Sequence, residues 1–347
     1  MIEQFTEAVR AASSQGRCLR VRGGGTKDFY GVALEGDILE TRGYTGIVDY
    51  DPAELVLTAR AGTLLSEVES TLAASGQMLA FEPPRFGSAS TIGGVVAAGF
   101  SGPRRAAAGS ARDFVLGMRI VDSAGQDLSF GGQVMKNVAG YDLSRLMAGS
   151  FGTLALITEV SLKVLPVPET EATLVFDLDE AQAIDRINRW AAQPLPLSAS
   201  CHIDGRLTVR LSGARAAVDA GRAKMGGDPL ADAQAFWASL RDQTHPFFAS
   251  ASTLWRLSIK STTTPLALGP QLLEWNGALR WIATDLDHDR VHAEAASAGG
   301  HATLYRGGDK SRGIQRLAPP VLILHEKLKR SIDPTSTFGR HRIHTEF

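Results

Sequence analysis

The sequence predicts a two-domain α+β protein. Two glycine-rich runs follow strand-like segments in the first half, and the stretch beyond Pro166 and Pro168 changes rhythm, alternating strand-like and helix-like segments. Domains are expected over 1–168 and 169–305, with a C-terminal segment, 306–347, returning to the first.

At the start of the chain, Ile2, Phe5, Val9 and Ala12 recur at helical spacing between Glu3, Glu7 and Arg10, so the segment reads as an amphipathic helix, not a signal peptide. A short apolar strand over 18–21 then meets Gly23, Gly24 and Gly25 where it must turn. Residues without Cβ atoms let backbone approach a ligand closely, and successive N–H groups in such a turn form a nest for an anion such as a pyrophosphate. The second run, Thr91-Ile92-Gly93-Gly94 through Gly99, leads into Ser101-Gly102-Pro103-Arg104-Arg105. Two small-residue, phosphate-compatible loops suggest a dinucleotide. An apolar strand over 154–165 closes this half.

Beyond the prolines, 171–178 alternates like a strand, and 179–193 carries Ile184, Ile187 and Trp190 at helical spacing behind Asp179 as N-cap. Strands over 197–203 and 207–211 flank Asp204-Gly205, a hairpin signal. A helix over 214–225, another through Phe236, Trp237 and Leu240, strands over 254–259 and 278–284, a helix from Asp287 to Gly299-Gly300 and a last helix over 319–332 complete the reading. The pattern implies an antiparallel sheet covered by helices on one face.

Composition narrows the function. The 347 residues are 44% hydrophobic and carry 36 basic against 37 acidic side chains, a balance that gives no support for nucleic-acid binding. The two cysteines, Cys18 and Cys201, are too few for an iron–sulfur cluster, which needs about four thiolates. No apolar run approaches the roughly 18 residues of a membrane span, so a cytoplasmic protein is expected. Neither Gly-x-Gly-x-x-Gly nor a Walker A loop is present, which argues against a nicotinamide dehydrogenase and a P-loop ATPase.

Each candidate residue also has a plainer reading. Gly23, Gly24, Gly25 and Thr26 suit a phosphate cradle or an ordinary turn. Thr91, Gly93, Gly94, Gly99, Ser101 and Gly102 suit a second cradle or close packing under a helix. Arg104 and Arg105 are phosphate partners or a solvated basic pair. Asp113, beside Arg112, belongs to an ion pair or an adenine-side wall. Lys136 and Asn137 stand in a loop that is functional or merely a surface turn. His288 and His292, four apart, read as part of a solvated helix, and no metal site is expected.

The order Arg22-Gly23-Gly24-Gly25-Thr26, Glu82-Pro83-Pro84, Thr91-Ile92-Gly93-Gly94, Gly102-Pro103-Arg104-Arg105, Arg112-Asp113-Phe114, Lys136-Asn137-Val138-Ala139-Gly140-Tyr141-Asp142 and Gly149-Ser150-Phe151-Gly152-Thr153 resembles the FAD domain of the vanillyl-alcohol oxidase (PCMH-type) superfamily. With Asp333-Pro334 and Phe338-Gly339-Arg340, the combination is similar to the FAD-binding E subunits of glycolate oxidase. The resemblance implies a two-subdomain FAD-binding domain beneath a smaller α+β cap. It carries FAD binding to Arg22, Gly23, Gly24, Gly25, Thr26, Lys27, Pro83, Thr91, Gly93, Gly94, Gly99, Ser101, Gly102, Arg104, Ser110, Asp113, Asn137 and Ile157. Oxidases that link FAD covalently use a histidine or cysteine beside the glycine loop; no histidine precedes His202, so FAD is expected to bind non-covalently.

The resemblance also implies partners: a second FAD subunit, an iron–sulfur subunit, and attachment to the inner membrane face only through them. Part of the aromatic set Trp237, Phe247, Phe248, Trp255, Trp275 and Trp281 is expected to contact a partner. Arg256 and Arg340 are the candidates for holding a small 2-hydroxy acid by its carboxylate. Three readings stay open: a glycolate-oxidising subunit, a stand-alone FAD oxidoreductase, and a non-catalytic flavin-carrying assembly subunit.

Overall fold

A computed structural model describes residues 1–32, 34–132, 142–344 and 346. The chain divides into two compact units: one of 1–100, 110–166 and 316–347, the other of 101–109 and 167–315. Against the expected domains, the C-terminal return begins at 316 instead of 306, and the short stretch 101–109 leaves the first unit for the second.

In the first unit, helix Ile2–Ser14 turns Phe5, Val9 and Ala12 inward onto Leu19, Val121, Leu156 and Phe338. Strand Leu19–Arg22 pairs in parallel with Asp37–Glu40. On Leu19's other edge runs the C-terminal segment, where Leu19 N–H donates to the Thr337 carbonyl at 2.6 Å and Gly339 N–H to the Leu19 carbonyl at 2.9 Å. A five-stranded antiparallel sheet runs in the order Ile47–Asp51, Val56–Arg60, Leu156–Lys163, Val115–Val121, Asp127–Gly131. The helix Ile92–Ala98 packs on it, and there Gly93 has a structural reason: a Cβ would collide with Ala61. Gly99 ends that helix in the left-handed region, φ 65°.

The second unit is built on an eight-stranded sheet whose pairings are all antiparallel. Asp179 caps helix Glu180–Ala191, accepting from Gln182 N–H at 2.8 Å while the Gln182 side chain accepts from Asp179 N–H. Asp204 and Gly205 both take positive φ, 49° and 73°, as a two-residue hairpin with the strands' own twist requires. Helices Glu180–Ala191, Arg215–Met225 and His288–Ser297 cover one face, burying Leu174, Val209, Leu211, Leu257, Ile282 and Leu304. The opposite face is also partly covered, a departure from the one-sided expectation: Trp237 of the short helix Ala233–Arg241 donates to Thr173 Oγ1 at 2.9 Å, and Phe248 packs edge-on against Trp281.

The aromatic residues expected at a partner surface are mostly in this core. Trp237, Phe248, Trp255, Trp275 and Trp281 are all buried, because the sheet meets helices or loops on both faces. The solvated-helix reading of His292 needs the same correction, since its ring packs edge-on against Trp255.

Candidate functional site

The glycine turn after Leu19–Arg22 forms a cleft of about 710 Å³, including the part open to solvent. Arg22, Gly23, Gly24, Gly25, Thr26, Lys27, Thr91 and Gly94 line it, so the structure brings eight of the expected residues together. The glycines are sterically required. A Cβ on Gly23 would strike Thr91 Oγ1, one on Gly24 would strike the Ala89 carbonyl, and Gly25 has φ +69° against the Arg22 guanidinium. Bare backbone therefore faces the space beside the second loop.

Arg22 is an organiser of this turn. Its guanidinium bridges Asp28 at 2.9 Å and Glu40 at 3.3 Å, and the hydrogen bond from Asp28 leads the effects that raise its pKa. Lys27 is the contrast. Its Nζ reaches only hydroxyls, Thr26 Oγ1 and Ser90 Oγ, both at 3.2 Å, and has no carboxylate partner among the described residues. Desolvation pulls this ammonium down to about 8.

The cleft also contains residues that sequence reasoning did not assign to the cofactor: Arg20, Phe151, Gly152, Gly339 and Arg342, with Arg340 arriving there in place of its expected substrate-holding role. Arg20 Nε is buried without a hydrogen-bond partner. Arg342 is 8% exposed and donates from Nη2 to the Lys27 carbonyl at 3.2 Å. Arg340 donates to the Ser336 carbonyl at 2.7 Å and the Gly16 carbonyl at 3.3 Å. Strand alternation was the available signal for Arg20, which shares Arg22's side of the strand.

Other expected residues lie elsewhere. Ser110 donates from backbone N–H and Oγ to Asp113 Oδ2, each at 2.8 Å. Pro83 is buried, and Ile157 is in the sheet core. Gly93 and Gly99 serve packing and capping, as above. Ser101, Gly102 and Arg104 belong to the second unit: Gly102's carbonyl accepts from Trp275 Nε1 at 3.0 Å, and Arg104 pairs with Glu171 at 2.5 Å. Asn137 and Lys136 fall outside the described residues. Arg256, in the second unit, makes no ion pair among the described residues; its guanidinium lies over the rings of Trp275 and Trp281 at 5.3 and 6.0 Å.

A doubly anionic diphosphate fits the glycine cleft on three counts: N–H-bearing backbone stripped of side chains, a desolvated ammonium without an anion, and an orphaned guanidinium nitrogen. A flavin dinucleotide carries such a group.

Comparisons with known proteins bear on the same residues. A family model for the FAD binding domain matches residues 1–131, which include both glycine-rich loops. The chain is 46% identical over 345 residues, 99% of its length and 97% of the other's, to the glycolate oxidase subunit GlcE of Escherichia coli (strain K12). It is 37% identical over 131 residues, 37% of its length and 27% of the other's, to the glycolate oxidase subunit GlcD of Bacillus subtilis (strain 168). The solved structure of an alkyldihydroxyacetonephosphate synthase matches with TM-score 0.67 at 17% identity, over 96% of this chain and 74% of that one; it is similar in fold.

Proposed function

The chain belongs to the family of the glycolate oxidase subunit GlcE, and from that premise we propose that it is the FAD-binding subunit of a glycolate oxidase, taking part in oxidation of glycolate to glyoxylate. The observation that carries this reading is the glycine cleft, with Lys27 desolvated and unpaired at its wall. When bound, FAD supplies the two-electron acceptor that such an alcohol oxidation requires. Gly23, Gly24 and Gly25 offer backbone N–H groups to the diphosphate, and Lys27 neutralises part of its charge. Neither histidine nor cysteine is among the residues lining the cleft, which supports non-covalent attachment.

Arg256 is the residue we assign to the substrate carboxylate. Arg340 donates to backbone carbonyls, whereas Arg256 is held by two indole faces and keeps its N–H fork available for a bidentate carboxylate contact. Electrons leave through partner redox subunits, a second flavoprotein and an iron–sulfur protein. With two cysteines the chain cannot ligate a cluster alone. No helix among the described residues is long and apolar enough to cross a membrane, and the proposed location is cytoplasmic, peripheral to the inner membrane face through partners.

An anaerobic glycolate titration of the flavin-loaded chain, alone and with its partners, tests the reading. Bleaching of flavin absorbance by glycolate in the isolated chain supports oxidation at this subunit. Bleaching only with partners present assigns it an electron-relay role, and a chain that takes up no FAD overturns the proposal.

A further inference from the structure

Strand Leu19–Arg22 sends Leu19 and Val21 to the apolar core and Arg20 and Arg22 to the other side. The two arginines differ in their partners. Arg22 is neutralised by Asp28 and Glu40, while Arg20 has neither hydrogen-bond nor ion-pair partner among the described residues, and its Nε is buried. From the far end of the chain, Arg342 is brought into the same cleft and buried there. Burial lowers its pKa, and the charge of Arg20 acts in the same direction, so the two guanidiniums repel one another. Lys27 adds a third cation without a carboxylate.

Acidic groups do not balance this set. Of the two carboxylates lining the cleft, Asp28 is paired with Arg22, and Glu35 lies 3.3 Å from His341. Like charges gathered in a partly desolvated cleft are unfavourable until an anion joins them. A monocarboxylate brings one negative charge, whereas a diphosphate brings two and has oxygens enough for several donors.

We propose that Arg20 and Arg342 complete, with Lys27, a three-cation seat for the diphosphate of FAD, so that the C-terminal segment acts as the cofactor's clamp. This rests on the flavin reading above. The geometry of the clamp follows from the chain's closure: Val32 N–H donates to the Arg342 carbonyl at 2.8 Å while Arg342 Nη2 holds the Lys27 carbonyl, fixing one side of the glycine turn from the C-terminus.

The test is binding, read by flavin fluorescence on the full chain stripped of cofactor. Arg20→Gln and Arg342→Gln should each weaken FAD by about tenfold or more, the scale of a lost charge-assisted hydrogen bond. Riboflavin, which has no phosphate, should bind these variants as it binds the native chain, and Arg20→Lys should recover part of the loss. Inorganic pyrophosphate should displace FAD from the native chain. FAD affinity unchanged in both glutamine variants, or FAD and riboflavin weakened equally, overturns the seat. If the variants fail to fold by circular dichroism, pyrophosphate competition on the native chain decides: displacement upholds the seat and none overturns it. A native chain that binds no FAD at all sinks the flavin reading instead.

Discussion

Buried Lys329 donates from Nζ to Asp333 Oδ2 at 2.7 Å, and the same carboxylate accepts from the backbone N–H groups of Thr337 and Phe338 at 2.9 and 2.8 Å. Lys329 also donates to the carbonyls of Phe338 at 2.7 Å and Thr153 at 2.5 Å. One ion pair thereby turns the chain after the final helix, Pro319–Ile332, and sends Gly339 to Arg342 into the glycine cleft.

Asp333→Asn should therefore impair both folding and cofactor retention. It leaves Lys329 buried without a counter-charge and removes an acceptor from the turn. Breaking a buried pair from one side costs about 3–5 kcal/mol. Denaturant unfolding of the cofactor-free chain measures the first effect, and flavin content after gel filtration the second. A variant as stable as the native chain, with full flavin, would show that the turn forms without this pair.

Gly24→Asp should abolish FAD retention. A Cβ at this position strikes the Ala89 carbonyl, so the loop must move, and the new carboxylate stands where a diphosphate is expected. Gly24→Ala separates the two effects, because it keeps the clash and omits the charge. Unchanged flavin stoichiometry in folded Gly24→Asp would reduce this loop to a plain turn.

Lys27 gives the cleft a pH dependence with a definite sign. Its pKa in the folded chain, about 8, lies below its value in the unfolded chain, about 10.4. Above the unfolded value both states are deprotonated and the folded state gains fully. As pH falls from about 10.4 to 8, the unfolded chain takes up the proton first and stability declines. An anion beside Lys27 favours its charged form, so FAD binding should weaken as pH rises through about 8 to 10. Lys27→Met should lose that slope and bind FAD more weakly at pH 7. A slope retained in Lys27→Met would mean that another group controls it.

Local chemistry was legible in the sequence where its cause was local. The glycine turn, the Asp179 cap with Gln182 three residues on, and the Asp204-Gly205 hairpin all follow from rules acting over a few residues. Partners set by the tertiary fold were not legible. Arg104 sits in a basic pair beside a glycine run, yet its carboxylate, Glu171, is 67 residues away in the second unit. Gly93 and Gly99 belong to a motif whose glycines look alike in sequence, but Ala61 and the left-handed helix end explain them. Tryptophan content could not tell core from surface, because the covering of the sheet's second face depends on segments as distant as 101–109.

Arg256→Gln should separate substrate recognition from cofactor binding. The guanidinium lies over Trp275 at 5.3 Å, and Arg105 lies over that same ring at 4.3 Å, so the indole faces hold cationic groups by their negative quadrupole without neutralising them. Flavin content and unfolding midpoint should stay close to native, since Arg256 makes no ion pair among the described residues and is in a different unit from the glycine cleft. The glycolate concentration for half-maximal flavin reduction should rise by about ten- to a hundredfold, the scale of one lost bidentate carboxylate contact. Arg256→Lys should recover only part of this, because an ammonium keeps the charge and lacks the planar fork. Anaerobic titration of each variant within the assembled complex measures the shift. Native glycolate dependence in Arg256→Gln would remove Arg256 from the substrate site.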